Sequence, residues 1–239
     1  AVLRRADGIV VRDSRSRDLL REIGVPVERV CVTADPVIRV KKADPAQGLE
    51  ILAREGCPRS PDRLTVGWAV KARKPDKAFL REVERCILWL REEYGADSVL
   101  IPFFHDEDVG VFQAVAEHLE GRVGCLRQKY LSEETLSIIG CMDVLVGVRL
   151  HSLIYAAVMG VPMIGVSYDP KVDSFLASIR RPTPFTVESF SLERFQAAFR
   201  EALAQREAIT STTEACLEDL IKKLDENEAL IAKLMERKK

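Results

Sequence analysis

Short apolar runs alternate with amphipathic segments along most of the 239-residue chain. Between the apolar runs, apolar residues recur about every three or four positions, the spacing of a helix with one buried face. From Leu64 onward, the predicted strands are 64–70, 98–103, 122–126, 143–148 and 162–167, and the predicted helices between them are 76–93, 107–119, 132–140 and 150–159. This alternation predicts an α/β fold with a parallel sheet, right-handed crossovers and helices on both faces.

A smaller unit of the same kind opens the chain. The apolar run 8–11 and a strand over 29–33 flank a helix that either Ser14 or Ser16 can cap and that Gly24 ends. We therefore predict a strand, a helix and a second strand at the start.

The segments that join and follow these units are helical. A short helix in 41–62 is predicted to begin at Pro45 with Asp44 as its cap. Two further helices are predicted over 192–204 and 212–237. The apolar stripe of the last helix favours packing across another domain over self-association.

Composition narrows the function classes. Apolar residues make up 47% of the chain, and 36 basic residues nearly balance 37 acidic ones, which argues against a nucleic-acid coat. No apolar run approaches the roughly 20 residues of a membrane span, and no signal peptide is visible. None of the six cysteines forms a Cys-x-x-Cys pair, so we expect reduced thiols in a cytoplasmic protein. Three of them lie in apolar surroundings that indicate core positions: Cys31, Cys125 and Cys141.

The most informative stretch is 144–176, which predicts a strand, a helix and a second strand. Arg149 and His151 follow the first strand, and Tyr168, Asp169 and Lys171 follow the second. The carboxyl ends of parallel strands share one edge of a sheet, where open α/β folds bind ligands. We therefore expect these side chains to converge on one crevice that suits an anionic substrate.

Each of these residue types has a plausible part in that chemistry. A helix start with Arg149 beside it favours a carboxylate or phosphate, and His151 can donate a proton near neutral pH. Lys171 can serve as a point charge for a phosphate. The alternatives are a surface arginine and a histidine that only fills space. Asp169 can orient His151 or Lys171, or can cap the next helix.

Other strand ends repeat the pattern. Lys71 and Arg73 follow 64–70 and either bind phosphate or form a solvated loop, while Arg12 follows 8–11 and can close over a ligand. Asp106 and Asp108 help to start a helix, with contact to a sugar hydroxyl as the weaker alternative. The glycine-rich loops of dinucleotide and P-loop proteins are absent, and no His-Glu-x-x-His or His/Cys cluster suggests a catalytic metal.

These residues carry a family resemblance. The run VGVRLHSLIYAAVMGVPMIGVSYDPKVDSFL resembles the signature of the polysaccharide pyruvyl transferase family and is most similar to its CsaB type, which modifies cell-wall polymers that anchor bacterial surface layers. The segments VVRDSRSRDLLREIGV, IPFFHDED and YLSEETLSIIGCMDVLVG extend the similarity over most of residues 4–180. One departure is Lys71, where relatives tend to have an arginine, with Arg73 two residues further on.

The resemblance implies a two-domain fold like that of GT-B glycosyltransferases, with the active site between two Rossmann-like domains. We expect most of the first domain to be missing, which fits a chain that starts at Ala1. We expect the end of the N-terminal domain over 1–42, an interdomain connector over 43–62 and the C-terminal domain over 63–205. The last part, 206–239, is expected to be a C-terminal helix that packs back across the first domain.

The resemblance also implies an activity: the pyruvyl group of phosphoenolpyruvate passes to a sugar of a cell-wall polysaccharide or its precursor as a cyclic ketal. In this activity His151 is expected to act as the general acid. The residues expected to bind substrate are Arg149, Lys171, Arg12, Lys71, Arg73 and Tyr168. No metal or cofactor is expected. The expected partners are phosphoenolpyruvate and a sugar acceptor, and whether a lipid-linked acceptor brings the protein to the inner face of the membrane stays open.

Two alternatives remain at this point. One is a nucleotide-sugar glycosyltransferase of the same fold, which would bind a nucleotide diphosphate at the same helix start. The other is a non-catalytic envelope assembly module that keeps the fold for binding.

Overall fold

The computed structural model describes residues 2–57, 59–70 and 77–236. The strands are β1 Ile9–Val11, β2 Val30–Val32, β3 Thr65–Ala69, β4 Asp97–Leu100, β5 Gly124–Cys125, β6 Val144–Gly147, β7 Met163–Ser167 and β8 Phe185–Thr186. The helices are α1 Ser14–Glu22, α2 Pro45–Arg54, α3 Lys77–Tyr94, α4 His105–His118, α5 Ser132–Gly140, α6 Leu150–Met159, α7 Pro170–Ser178, α8 Leu192–Ala204 and α9 Arg206–Glu236.

The main sheet has six strands in the order β5-β4-β3-β6-β7-β8, and neighbouring strands pair in parallel. The chain builds outward from β3 to β5, returns to the centre at β6 and builds outward again to β8. This is the order of a doubly wound Rossmann-like sheet, so the predicted parallel α/β fold is confirmed. All residues of β3, β6 and β7 are buried, as expected of strands covered on both faces.

Two apolar layers cover the sheet. One contains side chains of α2, α5, α6, α7 and α9, among them Leu52, Ile139 and Ile154. The other contains side chains of α3, α4 and α8, where Trp68 of β3 packs 5.4 Å from Phe195 between ring centroids. These layers hold the carboxyl ends of the strands in a fixed register, which is what positions the site.

Helix α2, within the predicted connector, packs tightly on α5. The Asp44 carboxylate caps α2 by accepting from the Ala46 backbone N–H at 2.9 Å, as predicted. The Ser137 hydroxyl donates to the Asp44 carbonyl oxygen, and the Cys141 thiol donates to the Pro45 carbonyl oxygen at 3.2 Å. The two backbones approach closely because Gly48 has no side chain at the crossing.

The opening unit is a two-stranded parallel sheet, β1 with β2, and the helix α1. The expectation that Ser14 or Ser16 caps α1 is wrong. Asp13 has the extended backbone of a cap residue, and its carboxylate accepts from the Ser16 N–H at 2.7 Å. Ser14 and Ser16 already lie inside the helix.

The cysteine environments differ from expectation at one position. Burial raises the pKa of the Cys125 and Cys141 thiols to about 11, in agreement with their predicted core positions. Cys31, also predicted to be in the core, is exposed. It lies on the face of β2 that no other element of the described chain covers, since only one side of a two-stranded sheet is packed.

At the C-terminal side, the prediction missed one strand and placed the start of one helix wrongly. Strand β8 was not predicted, because a two-residue strand leaves no apolar run. Helix α9 starts at Arg206, ahead of the predicted 212. Across the described ranges, no helix has the length and apolar character needed to cross a membrane.

Candidate active site

The site lies where the winding of the sheet reverses. Strands β3 and β6 are neighbours, and the chain leaves them toward opposite edges of the sheet, which makes their carboxyl ends the crevice where such sheets bind ligands. Arg149 and His151 follow β6, and Tyr168 and Asp169 follow the adjacent β7. The structure therefore places these predicted residues along one edge. Lys71 and Arg73, which follow β3, lie outside the described residues.

Arg149 is buried, with 7% of its surface exposed. Its Nη2 donates to Asp108 Oδ1 at 2.9 Å and lies 3.8 Å from Glu107 Oε2. The guanidinium carbon stacks 4.2 Å from the centroid of the Phe104 ring. Arg149 was predicted to bind substrate directly. In the structure, its guanidinium instead contacts the carboxylates of Asp108 and Glu107 in α4, so a direct substrate contact stays a prediction.

Asp108 is the counterpart that holds this arrangement. Its side chain is fully buried in the first turn of α4, and Oδ2 accepts from the backbone N–H groups of Phe103 at 3.2 Å and Phe104 at 2.9 Å. One carboxylate thus caps α4 and binds Arg149, so it ties the loop after β4 to the loop after β6. Its position at the start of a helix was predicted, but the ion pair was not, since no local pattern joins positions 41 residues apart.

His151 is the second residue of α6 and is exposed. Its imidazole makes no hydrogen bond to any other residue in the described ranges. Arg149 occupies the cap position of α6 without a side-chain cap bond, so the positive end of the helix dipole faces the ligand edge. An unengaged imidazole beside an uncapped helix start can transfer a proton to a bound anion.

Asp169 caps α7 and pairs with Lys171. Its Oδ1 accepts from the Lys171 backbone N–H at 3.0 Å, and its Oδ2 lies 3.3 Å from Lys171 Nζ. Burial raises the pKa of Asp169, but the Lys171 hydrogen bonds and the charges of Lys171 and Arg12 together hold that pKa below its ordinary value. Of the roles left open, capping and orienting Lys171 are the two this geometry serves. The Tyr168 ring lies 5.6 Å from Lys171 Nζ and shields one side of the ammonium.

Arg12, after β1, is held by two carboxylates. Its Nη1 lies 3.2 Å from Asp35 Oδ2 and its Nε lies 3.5 Å from Asp13 Oδ2. Asp35 also accepts from the Val37 N–H at 3.1 Å and so caps the turn after β2. Asp35 was not identified from the sequence as a partner of Arg12. It could have been, because the carboxyl ends of the parallel strands β1 and β2 lie at the same edge of their sheet.

A cleft of about 360 Å³ brings Arg12 and Lys171 together. Its walls are the loops after β1 and β2, the start of α6, one face of α7 along its length, and one face of α9. Leu150, next to His151 in the chain, lines the cleft, whereas His151, Arg149 and Tyr168 are not among its lining residues. Among the described residues, no three His, Cys, Asp or Glu side chains form a group that could hold a metal ion.

The sequence profile of one family, described as polysaccharide pyruvyl transferase, matches residues 1–170. The chain belongs to the polysaccharide pyruvyl transferase family. The matched range includes Arg12, Asp108, Arg149, His151 and Asp169 and ends one residue before Lys171. A comparison with curated proteins finds no match to this pyruvyl transferase family member.

Solved structures share its fold at low sequence identity. The complex of S. aureus MnaA with UDP has a TM-score of 0.66 at 13% identity. The superposition covers 95% of this chain and 62% of the MnaA chain. The Anabaena Alr3699/HepE complex with UDP-glucose has a TM-score of 0.65 at 14% identity, with 98% and 65% covered. A glycosyltransferase from Rickettsia africae has a TM-score of 0.61 at 10% identity, with 96% and 64% covered.

These likenesses show the fold, which is Rossmann-like and of the GT-B type. This family member spans less than two thirds of the length of those structures.

Proposed function

We propose that this family member transfers the pyruvyl group of phosphoenolpyruvate to two hydroxyls of a sugar, forming a cyclic ketal and releasing phosphate. The observation that carries the proposal is the meeting of Arg12 and Lys171 in one cleft, beside the start of α6, in a chain of the polysaccharide pyruvyl transferase family.

The cleft suits a small molecule with two anionic groups. Phosphoenolpyruvate carries a carboxylate and a phosphate, and two cations from different walls can hold both ends. Arg12 and Lys171 each have a carboxylate partner, Asp35 and Asp169, at 3.2 and 3.3 Å. These pairs keep the cations in place and partly neutralised until a substrate anion adds to them. Binding is then specific for a ligand with both groups.

The chemistry begins at the carbon–carbon double bond. A proton added to C3 converts the methylene into a methyl group and makes C2 electrophilic. One sugar hydroxyl adds to C2 and loses its proton. Cleavage of the C2–O bond then releases phosphate, and the second hydroxyl adds to C2, closes the ketal and supplies the proton that the phosphate takes up. The two hydroxyl protons therefore balance the proton gained at C3 and the proton gained by phosphate.

His151 is the group that we assign to the protonation of C3. It is exposed at the start of α6, it directly follows Leu150, which lines the cleft, and it is not engaged by other described residues. General acid catalysis of this kind contributes roughly 10²–10⁴-fold in rate. The cations of the cleft and the start of α6 stabilise the departing phosphate.

We further propose that the acceptor is a cell-wall polysaccharide or its precursor, as in the CsaB type, and that the reaction takes place in the cytoplasm. The support for the subtype is the resemblance of residues 144–176.

The test is to incubate the chain with phosphoenolpyruvate and a panel of sugar acceptors. We expect phosphate release that depends on the acceptor and a matching acceptor product with the mass of one pyruvyl ketal. Phosphate release without a ketal product, with every acceptor, would exclude the proposal.

The competing function is transfer from a nucleotide sugar, which is favoured by two structural neighbours, one in complex with UDP-glucose and the other with UDP. A nucleotide sugar needs a pocket for its base, whereas phosphoenolpyruvate needs only the cations. Titration with phosphoenolpyruvate and with UDP-glucose separates the two, because we expect saturable binding of phosphoenolpyruvate and none of UDP-glucose.

A further inference from the structure

Helix α9 forms one wall of the cleft, although the family profile ends before it. Leu220 and Lys223 of α9 line the cleft together with Arg12 and Lys171. The matched range ends at residue 170, so the family match assigns no role to this helix.

The position of α9 against the opening unit is fixed by apolar packing. Leu217, Leu220 and Leu224 are buried in the same layer as Ala34 and Ile38, which belong to the segment after β2. A buried leucine every three or four residues keeps one face of the helix inward. Lys223, which lies between Leu220 and Leu224, is therefore held on the side of α9 that lines the cleft.

Ion pairs reinforce that packing. Arg39 binds both Asp225 and Glu228 of α9, and Lys42 Nζ lies 2.9 Å from Glu214 Oε1. The helix is thus attached to the segment after β2 at two levels, on either side of Leu220.

The charges in the cleft leave Lys223 without a partner. The cleft is lined by two carboxylates, Asp13 and Asp35, and both are engaged with Arg12. Lys171 is paired with Asp169. Within the described ranges, the Lys223 ammonium has no hydrogen bond or ion pair. Four cations line the cleft, Arg12, Arg15, Lys171 and Lys223, against two carboxylates, so an excess of positive charge faces any ligand.

We propose that Lys223 is a substrate-binding residue that contacts the phosphate of phosphoenolpyruvate from the α9 side of the cleft. This inference rests on the proposed function for the identity of the ligand, and on the cleft geometry for the contact. Arg12 and Lys171 hold the substrate from the loop after β1 and the start of α7, and Lys223 adds a cation from the α9 side that helps to neutralise the dianionic phosphate.

The neighbouring Lys222 provides a matched control. It pairs with Asp219 at 3.2 Å, its side chain is 69% exposed, and it is not among the residues that line the cleft. A methionine at either position keeps the chain length and helix propensity of lysine but removes the charge.

The experiment is a calorimetric titration of the 239-residue chain, unaltered and as Lys223→Met and Lys222→Met, with phosphoenolpyruvate and separately with UDP. We expect Lys223→Met to weaken phosphoenolpyruvate binding about tenfold or more, the scale of one hydrogen bond to a charged group. We expect Lys222→Met to change it by less than about twofold, as for an exposed surface ion pair.

The outcomes separate the inference from the proposed function. Equal affinities for Lys223→Met and the unaltered chain, or equal weakening by both variants, would overturn the role of Lys223 alone. If the unaltered chain binds UDP but not phosphoenolpyruvate, and Lys223→Met weakens UDP binding, the proposed function fails while α9 keeps its contact to a ligand phosphate. Binding of neither anion overturns both. Equal thermal unfolding midpoints show that the variants are folded.

Discussion

At the carboxyl edge of the sheet, the buried Asp108 carboxylate holds two loops that are far apart in the chain. It caps α4 through the N–H groups of Phe103 and Phe104 and binds the Arg149 guanidinium. Arg149 itself sits at the cap position of α6, next to the residues that face the ligand. At the residue scale, the placement of His151 therefore depends on an ion pair between two loops of the protein.

Replacing Asp108 by asparagine should destabilise the fold strongly. The change leaves the buried Arg149 charge without its principal counter-ion, which costs about 3–5 kcal/mol of unfolding free energy when one partner of a buried pair is removed. Urea denaturation measures it. Asp106→Asn is the matched control, since the Asp106 side chain is 89% exposed and its loss should cost less than about 0.5 kcal/mol. Equal effects of the two variants would show that the Asp108–Arg149 pair does not support the fold.

The sequence predicted where the site residues lie, but not what they bind. Positions at strand ends follow from the pattern of apolar runs, so the places of Arg12, His151 and Lys171 in the fold could be predicted. The partners depend on contacts between distant segments. Arg149 is an example: the chemistry of arginine suggested substrate binding, whereas burial against Asp108 gave it a protein partner. Periodicity carries no information on that choice.

At the scale of elements, the contact between α2 and α5 fixes the connector to the sheet. A Cβ atom at Gly48 would lie 2.4 Å from the Ser137 carbonyl oxygen and 2.8 Å from Cys141 Sγ. Backbone lies on the other side of this contact, so the two helices would have to separate.

Alanine at Gly48 and at Gly110 should have opposite effects on stability. Gly48→Ala overpacks the α2–α5 crossing, with a typical cost of about 1–3 kcal/mol. Gly110, inside α4, has nothing within 4 Å of a built Cβ, so alanine there should gain up to about 1 kcal/mol of helix propensity. Urea midpoints measure both. A stabilising Gly48→Ala would show that the helices are not in close contact.

The bounds of several helices could be predicted from the apolar pattern and the residues that flank it. The predicted bounds of α5, α6 and α8 agree with the structure, and α2 begins at Pro45 as expected. The short strand β8 and the first residues of α9 were missed, because a two-residue strand and a polar helix start leave no apolar period. The division of the chain into domains stays a prediction.

At the scale of the whole molecule, the cleft exists because three separate parts of the fold meet. The opening β1–β2 unit supplies Arg12, the main sheet supplies Lys171 through α7, and the C-terminal helix supplies Leu220. The sequence predicted the first two contributions as strand ends. For the third, the sequence predicted a C-terminal helix that packs back across the first domain, but not which of its side chains line the cleft, since that depends on its packing on the segment after β2.

The most direct test of the account measures ketal formation from phosphoenolpyruvate by the His151→Ala variant. Because His151 is exposed and makes no bond to other described residues, the variant should fold normally. If His151 protonates C3, kcat should fall by roughly 10²–10⁴-fold while KM for phosphoenolpyruvate changes little. His118→Ala is the control, since His118 ends α4, away from the strand ends, and is 72% exposed beside Glu84. A folded His151→Ala variant that keeps near-normal turnover would contradict the mechanism.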